Sequence, residues 1–331
     1  MLETAKSISV IICAYTEERW HDLVKAVDSL HEQIVPPLEI VVVIDHNADL
    51  FVRAKEQWSN IIVTESSEAR GLSGARNHGI AIAKGKFVAF LDDDAVAEPD
   101  WLQRLSKHFE DPDILGVGGA VEPYWLSKQP SWFPEEFYWV LGCSYSGLPQ
   151  TLSVVRNPYG GCTCFLREVF EVVGGFREGI GRVGSNPMGG EETELCIRAK
   201  QRWPHKVFLY DPQARIHHRI PPHRANWRYF RLRCYAEGVS KAIVSGYVGA
   251  KDSLASERLY VCKTLLRGIL HGLRDGVARQ DLSGLLRAGA IVTGFLLTAL
   301  GYIVGIVFHR PPLKTSIPVN STYHTFTASK G

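Results

Sequence analysis

The carboxylates Asp92, Asp93 and Asp94 directly follow the apolar run 87–91. Such an uninterrupted run is typical of a strand covered on both faces of a sheet, so the acids are expected at its carboxyl end, where open α/β sheets bind ligands. Adjacent carboxylates repel one another unless a cation joins them, and oxygen ligands suit Mg²⁺ or Mn²⁺. The pattern therefore predicts a divalent-metal site; the alternative is a solvated acidic turn that caps the next helix.

A second pair of acids, Glu191 and Glu192, opens a predicted helix after the glycine-rich segment 179–190. The helix dipole favours carboxylates in a first turn, so these acids could serve the helix alone. The glycine-rich segment favours a catalytic use, because such loops act as lids over active sites. Two histidines follow in a predicted loop, and His217 or His218 could reach a metal or a diphosphate, or stand apart from the site.

Arg76, a candidate for binding an anion, lies in the glycine-containing segment 70–79. Ser73 is expected to cap a helix whose first turn carries Arg76. A helix N-terminus with a guanidinium group makes an anion site, since arginine grips phosphate through two parallel hydrogen bonds. The segment indicates phosphate binding, unless it is a helix start with an exposed arginine.

The elements that would hold these residues alternate along the first part of the chain. Strands are predicted over 7–14, 39–44, 61–64 and 86–91, with helices between them. The alternation predicts an α/β fold with parallel strands and crossover helices, a Rossmann-like sheet. Tyr15 and Asp45 follow their strands and are expected at the same edge as the acids. A Gly-x-Gly-x-x-Gly dinucleotide fingerprint is absent from the sequence.

The following region has further strands predicted over 114–121, 157–167 and 206–210, and helices over 99–109 and 224–245. Residues 122–150 are rich in aromatic residues and proline. A loop of this length is usually functional, and flat rings with polar tips suit a sugar or lipid acceptor. Packing in a core is the equal alternative for these rings.

The bulk properties bound the class of protein. The 331 residues allow one large or two modest domains, and 45% hydrophobic with 22% charged residues is an ordinary globular composition. A net charge of +2 gives no case for a nucleic-acid partner. The seven cysteines are scattered, and the close pair Cys162 and Cys164 is interpreted as strand residues in a reducing compartment.

In their order, these motifs resemble the GT-A family 2 glycosyltransferases. The matching pieces are strand-Ala-Tyr-x-Glu, strand-Asp, Ala-Arg-Asn-x-Gly, strand-Leu-Asp-Asp-Asp, Gly-Gly-Phe, Gly-Glu-Glu-x-Glu-Leu-x-x-Arg and a late histidine, over about 8–245. The resemblance implies a GT-A fold with a mostly parallel mixed sheet. It also implies a nucleotide-sugar-binding half over 1–122, an acceptor-binding half over 123–248, and an inverting, metal-dependent glycosyltransferase.

The resemblance assigns the donor side to a set of strand-end residues. Ala14, Tyr15 and Glu17 would line the base pocket, and Asp45 would lie beside the base or ribose. Arg76 would lie near the diphosphate. The remaining donor contacts would be Asp92 on the ribose-phosphate side and Asp93 at the variable middle position.

The resemblance also assigns the reacting centre. Asp94 and His217 would hold Mg²⁺ or Mn²⁺. Glu192 would be the catalytic base that takes the proton of an acceptor hydroxyl, and Glu191 would orient the acceptor or the base. The family more often has Asp where this chain has Glu192, so the choice between the two glutamates stays open.

The expected reaction is transfer of one sugar to a lipid-linked or cell-envelope glycan, because the Gln-x-x-Arg-Trp signature of processive synthases is missing. A sugar-phosphate nucleotidyltransferase is one alternative, but it would need a glycine-rich loop with arginine and lysine after the first strand. A non-catalytic carbohydrate-binding protein with a degenerate site is the other, and the intact acids argue against it.

The region 249–310 differs in character from the rest. A leucine stripe over 259–273 beside Lys263, Arg267 and Arg274 predicts an amphipathic helix for an anionic membrane surface, or one packed on the catalytic domain. Residues 288–308 lack charge and are long enough to span a bilayer, to lie in it as a monotopic helix, or to form a buried helix. The tail 311–331 is expected to be disordered. Since no signal peptide precedes the first strand, the cytoplasmic face of a membrane is the expected location.

Overall fold

The computed structural model describes residues 7–184, 186–278 and 280–308. Within these ranges, nine strands form one mixed sheet in the order β3-β2-β1-β4-β8-β6-β9-β5, with β7 paired to β9. The strands are β1 Ile8–Ala14, β2 Glu39–Ile44, β3 Ile62–Glu65, β4 Phe87–Asp92, β5 Ala95–Ala97, β6 Ile114–Trp125, β7 Ser153–Val155, β8 Cys162–Leu166 and β9 Val207–Ile220.

The sheet is mostly parallel, as predicted. Strands β1 to β4 run parallel, and β6 runs parallel to β9. Strand β8 is antiparallel to β4 and β6, and β5 and β7 are antiparallel to β9. This reversal at β8 separates the strands that carry the first acids from those that carry the late histidines.

The longer helices flank the sheet and continue beyond it. They are α1 Trp20–His31, α2 Ala48–Gln57, α3 Leu72–Ile82, α4 Trp101–Ser106, α5 Arg167–Val173, α6 Glu191–Arg202, α7 Trp227–Val248, α8 Leu266–Ala278 and α9 Leu282–Phe308. Shorter helical turns lie at Glu17–Arg19, Lys107–Glu110, Glu135–Leu141, Pro222–Arg224, Ala250–Ser253 and Glu257–Leu259, and a π-helical stretch at Tyr260–Leu265 leads into α8.

The central strands are buried on both faces, which explains their uninterrupted apolar sequence. Along β1, Val10 and Ile12 join one apolar cluster and Ile11 joins the other, because successive side chains of a strand point to opposite faces. Helix α1 covers the first face and α3 the second. The predicted doubly covered α/β sheet is therefore present.

Parallel pairing brings the polar strand ends together. Cys13 of β1 lies opposite Asp92 of β4, and Ala14 lies opposite Ile44 of β2. Tyr15, Asp45 and the acids after β4 consequently share the carboxyl edge of the sheet, where open α/β sheets place their ligands.

Glycine contacts dock the C-terminal helix α9 onto α7. A Cβ on Gly301 would collide with the backbone carbonyl of Tyr235, and one on Gly238 would collide with that of Thr298. Because both sides lack a side chain at these points, the two backbones approach closely. By length and composition α9 could cross a membrane.

Helix α8 packs on α9 through its own glycines and turns its leucines outward. Gly268 and Gly272 are buried, whereas Leu266, Leu270 and Leu273 are exposed. The predicted apolar stripe therefore does not pack on the catalytic domain with its leucines.

Several local predictions differ from the structure. Gly71, not Ser73, precedes the first turn of α3, and the Ser73 hydroxyl donates instead to the carbonyl of Ile180 at 2.7 Å. The loop predicted after residue 210 is the second half of the long strand β9. The division at residue 122 stays a prediction, with residue 122 inside β6, and the tail 311–331 lies outside the described residues.

Candidate active site

Two carboxylates and an imidazole meet where the chain passes from β4 to β5, the strand that pairs with β9. Asp92 ends β4, Asp94 precedes β5, and β5 pairs antiparallel with β9 so that Ala95 lies opposite His218. One ligand atom from each of Asp92, Asp94 and His218 lies within 4.8 Å of the others. Carboxylate oxygens with an imidazole nitrogen form a donor set that suits a divalent cation such as Mn²⁺.

The histidine predicted for this position, His217, lies on the other face of the strand. Its Nε2 atom is 2.6 Å from Oε1 of Glu98, and its side chain is partly exposed. Adjacent strand residues face opposite sides, so His218 and not His217 faces Asp94, and a metal-ligand role for either histidine stays a prediction. The alternation of Ala214, Ile216 and His218 with charged residues was the sequence signal that identifies the inward histidine.

Asp94 is buried and surrounded by cationic side chains. Its Oδ1 atom lies 2.9 Å from His218 Nε2, and its Oδ2 atom lies 3.3 Å from both Arg19 and Arg224. Burial acts against ionisation, but His218 and the two guanidinium groups hold the pKa of Asp94 well below its usual range. Burial also lowers the pKa of His218, yet Asp94 outweighs it and raises that pKa to about 10.

Asp93, the middle acid, is not a solvated turn residue. Its Oδ1 atom accepts a hydrogen bond from Arg19 at 2.8 Å, while its buried Oδ2 atom has no partner in the described part of the chain. Burial raises the pKa of Asp93 to about 6, against the effect of Arg19. An acid held in this way orders the loop that presents Asp94, and the alternative of a solvated acidic turn is excluded.

Arg76 links the two acidic clusters. Its guanidinium is buried, with Nη1 2.9 Å from Glu191 Oε1 and Nη2 3.7 Å from Asp92 Oδ1. A charge-assisted hydrogen bond of this kind fixes the start of α6 against the end of β4. The alternative of an exposed arginine is therefore wrong, and a contact of Arg76 with a diphosphate stays a prediction.

Glu192 differs from the acids on either side. Glu191 is paired with Arg76, and Glu194 is paired with Arg177 and Arg198. Among the described residues, Glu192 has no ion pair within 4 Å.

Burial, reinforced by the negative charge of Glu191, raises the pKa of Glu192 to about 8. A carboxylate with a pKa near neutrality is suited to accept a proton in catalysis.

One cleft of about 680 Å³ joins these groups. Of the residues predicted for the site, those that line it are Ala14, Tyr15, Asp45, Arg76, Asp92, Asp93, Asp94, Glu191 and Glu192. Glu17 is not in the lining and instead lies 3.7 Å from Arg53 at the surface. Asp45 is held by the backbone N–H of Gly71, which donates to it at 3.0 Å.

The sequence reasoning missed the arginines that surround the acids. Arg19, Arg182 and Arg233 line the cleft, and the buried Arg224 lies 3.3 Å from Asp94. These arginines come from four separate parts of the chain. A lone arginine in a loop or helix carries no spacing signal, so only the fold identifies them as one group.

Comparisons with known proteins agree with this geometry. The model of the family Glycosyl transferase family 2 matches residues 9–174. Over 314 residues the chain is 33% identical to the Glucosyl-dolichyl phosphate glucuronosyltransferase of Haloferax volcanii, which covers 93% of this chain and 99% of that protein. The chain belongs to glycosyl transferase family 2. It is also 25% identical to the succinoglycan biosynthesis protein ExoM of Rhizobium meliloti, over 80% of this chain and 90% of ExoM.

Solved structures confirm the GT-A fold. The mannosyltransferase PcManGT of Pyrobaculum calidifontis, in complex with GDP-Man and Mn²⁺, matches with a TM-score of 0.56 at 16% identity, over 90% of this chain and 87% of its own. GalNAc-T7 with UDP, GalNAc and Mn²⁺ matches with a TM-score of 0.51 at 17% identity. That match covers 72% of this chain and spans half of the GalNAc-T7 chain. The protein is therefore a glycosyltransferase, and family membership does not favour the nucleotidyltransferase or non-catalytic alternatives.

Proposed function

We propose that this glycosyltransferase moves one sugar from a nucleotide-sugar donor to a hydroxyl group of a lipid-linked glycan, with inversion at the anomeric carbon and with Mg²⁺ or Mn²⁺ as cofactor. The observation that carries the proposal is that Asp94 and Glu192, nearly 100 residues apart in sequence, line the same cleft. A metal-binding acid and an unpaired basic carboxylate on one cleft are what an inverting transfer requires.

The residues present fit a divalent cation. Asp92, Asp94 and His218 would hold it, since their donor atoms converge within 4.8 Å and Asp94 is ionised. When bound, such an ion neutralises the charge of the leaving nucleoside diphosphate. Tyr15 and Asp45, on the same edge of the sheet, would receive the nucleoside.

Glu192 would remove the proton of the attacking hydroxyl. A positioned base of this kind contributes about 10²–10⁴-fold to the rate. Arg76 holds Glu191 at 2.9 Å, and the negative charge of Glu191 favours proton uptake by Glu192. We assign the base to Glu192 because Glu191 is already committed to an ion pair.

A lipid acceptor follows from the likeness to the Haloferax enzyme, whose name gives a glucosyl-dolichyl phosphate as the acceptor and glucuronic acid as the sugar transferred. We take both as the first candidates for this chain. The outward leucines of α8 support attachment to a membrane surface, and the cytoplasmic face stays a prediction from the sequence.

We further infer that α9 associates with the membrane as a monotopic helix and does not span it alone. It lies against α7, with Gly305 next to Ala242, and α7 carries the charged side chains of Glu237 and Lys241. Lipid cannot surround a helix on the face that is packed against such a partner.

The direct test is release of nucleoside diphosphate from a panel of nucleotide sugars that includes UDP- and GDP-linked glucuronic acid, glucose and mannose. Glucosyl dolichyl phosphate is the acceptor, with Mn²⁺, Mg²⁺ or EDTA. We expect acceptor-dependent release with one donor and a divalent cation, and a product with inverted anomeric configuration. Retention of configuration, or full activity in EDTA, would refute the proposal.

A further inference from the structure

The cleft that contains Asp94 and Glu192 continues past them to helix α9. Four α9 residues line its far end at positions i, i+3, i+4 and i+7, namely Phe295, Thr298, Ala299 and Tyr302. This spacing places them on one face of the helix. Phe295 is 40% exposed, so the far end of the cleft reaches the protein surface beside α9.

The other faces of α9 have different surroundings. Gly294, Gly301 and Gly305 form the buried face that packs on α7 and on the Glu135–Leu141 turn. Leu296 and Leu300 point outward and are 59% and 50% exposed. One apolar helix thus has a solvent-exposed apolar face and, about a third of a turn away, a face inside the catalytic cleft.

The cleft changes from charged to apolar between Glu192 and α9. Near Glu192, the Lys241 amine lies 2.8 Å from Glu257 and 3.1 Å from Glu237. Arg156 adds a second cation, 3.6 Å from Glu257. Two acids and two bases in contact offer donors and acceptors together, which suits the hydroxyl groups of a sugar.

Most other residues that line this part of the cleft are aromatic or aliphatic. The segment 254–265 contributes Leu254, Leu259, Tyr260, Val261 and Leu265, together with the polar Ser256, Glu257 and Thr264. The Tyr260 hydroxyl donates to the carbonyl of Glu136 and accepts from Trp139 Nε1, so its ring presents carbon to the cleft. An amphiphile would therefore be oriented with its polar end toward Glu192.

We propose that the far end of the cleft is the tail site for the lipid acceptor. The hydrocarbon chain lies between the cleft face of α9 and the segment 254–265, and the acceptor sugar lies between Lys241 and Glu192. The inference rests on the proposed function in that the occupant is a lipid-linked acceptor. Because the cleft is continuous with the surface of α9, the hydrocarbon chain of the acceptor stays in contact with apolar side chains as it enters from the bilayer.

The first test places a bulky side chain in the proposed tail site. Thr298→Trp places a large ring on the cleft face, and Leu296→Trp, on the outward face of the same helix, is the matched control. We expect kcat/KM for glucosyl dolichyl phosphate to fall about tenfold or more with Thr298→Trp, which is the effect of keeping about two methylene groups out of the groove. The loss should lie in KM.

The same variant should leave transfer to glucosyl citronellyl phosphate, an acceptor with a short tail, at the wild-type rate. Leu296→Trp should leave both acceptors unchanged. Equal losses with the long and the short acceptor, or equal losses in both variants, would overturn the tail site while the proposed function stands. No transfer from any donor to either acceptor would overturn the proposed function instead.

The second test needs no variant and no turnover. The wild-type protein in detergent is irradiated with a polyprenyl phosphate that carries a diazirine at the end of its chain, with and without excess glucosyl dolichyl phosphate. We expect residues of 254–265 and the cleft face of α9 to be labelled, and the label to be competed away. Labelling confined to the outward leucines of α8 and α9, without competition, would refute the tail site.

Discussion

The two ends of the cleft are built in different ways. At the donor end, the carboxyl ends of β1, β2 and β4 set the positions of Tyr15, Asp45 and Asp92 through backbone pairing. Nearly every charged group there is buried and paired, as Asp94 is with His218. At the acceptor end, α9 and the segment 254–265 supply apolar side chains, and α7 supplies the charged Glu237 and Lys241. Glycine contacts between α7 and α9 set the helix spacing.

This difference suggests a division of roles, in which the donor end carries out the chemical step and the acceptor end selects the acceptor. A change at the donor end alters the charge or pKa of a group whose neighbours cannot move, because sheet pairing holds them. A change at the acceptor end alters a helix position or a groove width, which affects which acceptor fits. Variants of the two ends should therefore differ in which kinetic constant they change.

The largest loss of activity should come from a change of Glu192, which lies between the donor end and the acceptor end of the cleft. Glu192→Gln removes the proton acceptor while keeping the shape, so turnover should fall by about 10²–10⁴-fold. Donor affinity, measured by titration with the nucleotide sugar, should be unchanged because Asp94 and His218 are untouched. Glu192→Asp, which restores the acid more common in the family, should recover part of the rate. Wild-type turnover in Glu192→Gln would show that the base is another group.

A second comparison sets the two adjacent histidines against each other. His218→Ala removes a donor from the metal trio and should weaken Mn²⁺ affinity by at least about 10–100-fold, measured through donor titration at varied Mn²⁺. His217→Ala removes surface pairs with Glu98 and Glu122 and should change the affinity less than twofold. The opposite ranking would restore the assignment made from the sequence.

The pH dependence of kcat/KM tests Glu192, the carboxylate between the two ends of the cleft. The base must be deprotonated, so kcat/KM should rise with pH by tenfold per unit below the pKa of Glu192 and level off above it. That pKa is raised by burial to about 8 from an ordinary 4.5, and a bound cation lowers it, so the midpoint should lie between these values. Glu191→Gln removes a neighbouring negative charge and should move the midpoint to lower pH. An unchanged midpoint in Glu191→Gln would contradict the coupling of the two acids.

The smallest effect on chemistry should come from the helix contact at the acceptor end. Gly301→Leu forces α9 away from Tyr235 and should destabilise the protein by about 1–3 kcal/mol, seen as a lower melting temperature in detergent. The KM for the lipid acceptor should rise, while the donor affinity stays unchanged. The outward change Leu300→Ser is the control, and a loss of donor affinity in Gly301→Leu would break the separation of the two ends.

The predictions from the sequence succeeded where a local pattern has one physical meaning. Apolar runs such as 87–91 mark strands buried on both faces, and the acids after them lie at the carboxyl edge as expected. The sequence could not choose between His217 and His218, because residues 211–220 are predicted to form a loop and a loop has no alternation of buried and exposed positions; in the structure they belong to β9.

The sequence alone determined the family, the mostly parallel sheet and the presence of two acidic clusters, because strand periodicity and motif order are local properties of the chain. Only the tertiary structure decided that His218 faces Asp94, that Arg76 joins Glu191 to Asp92, and that α9 forms a wall of the cleft. These contacts join residues far apart in the chain. Their partners depend on sheet register and on helix packing, which no single stretch of sequence encodes.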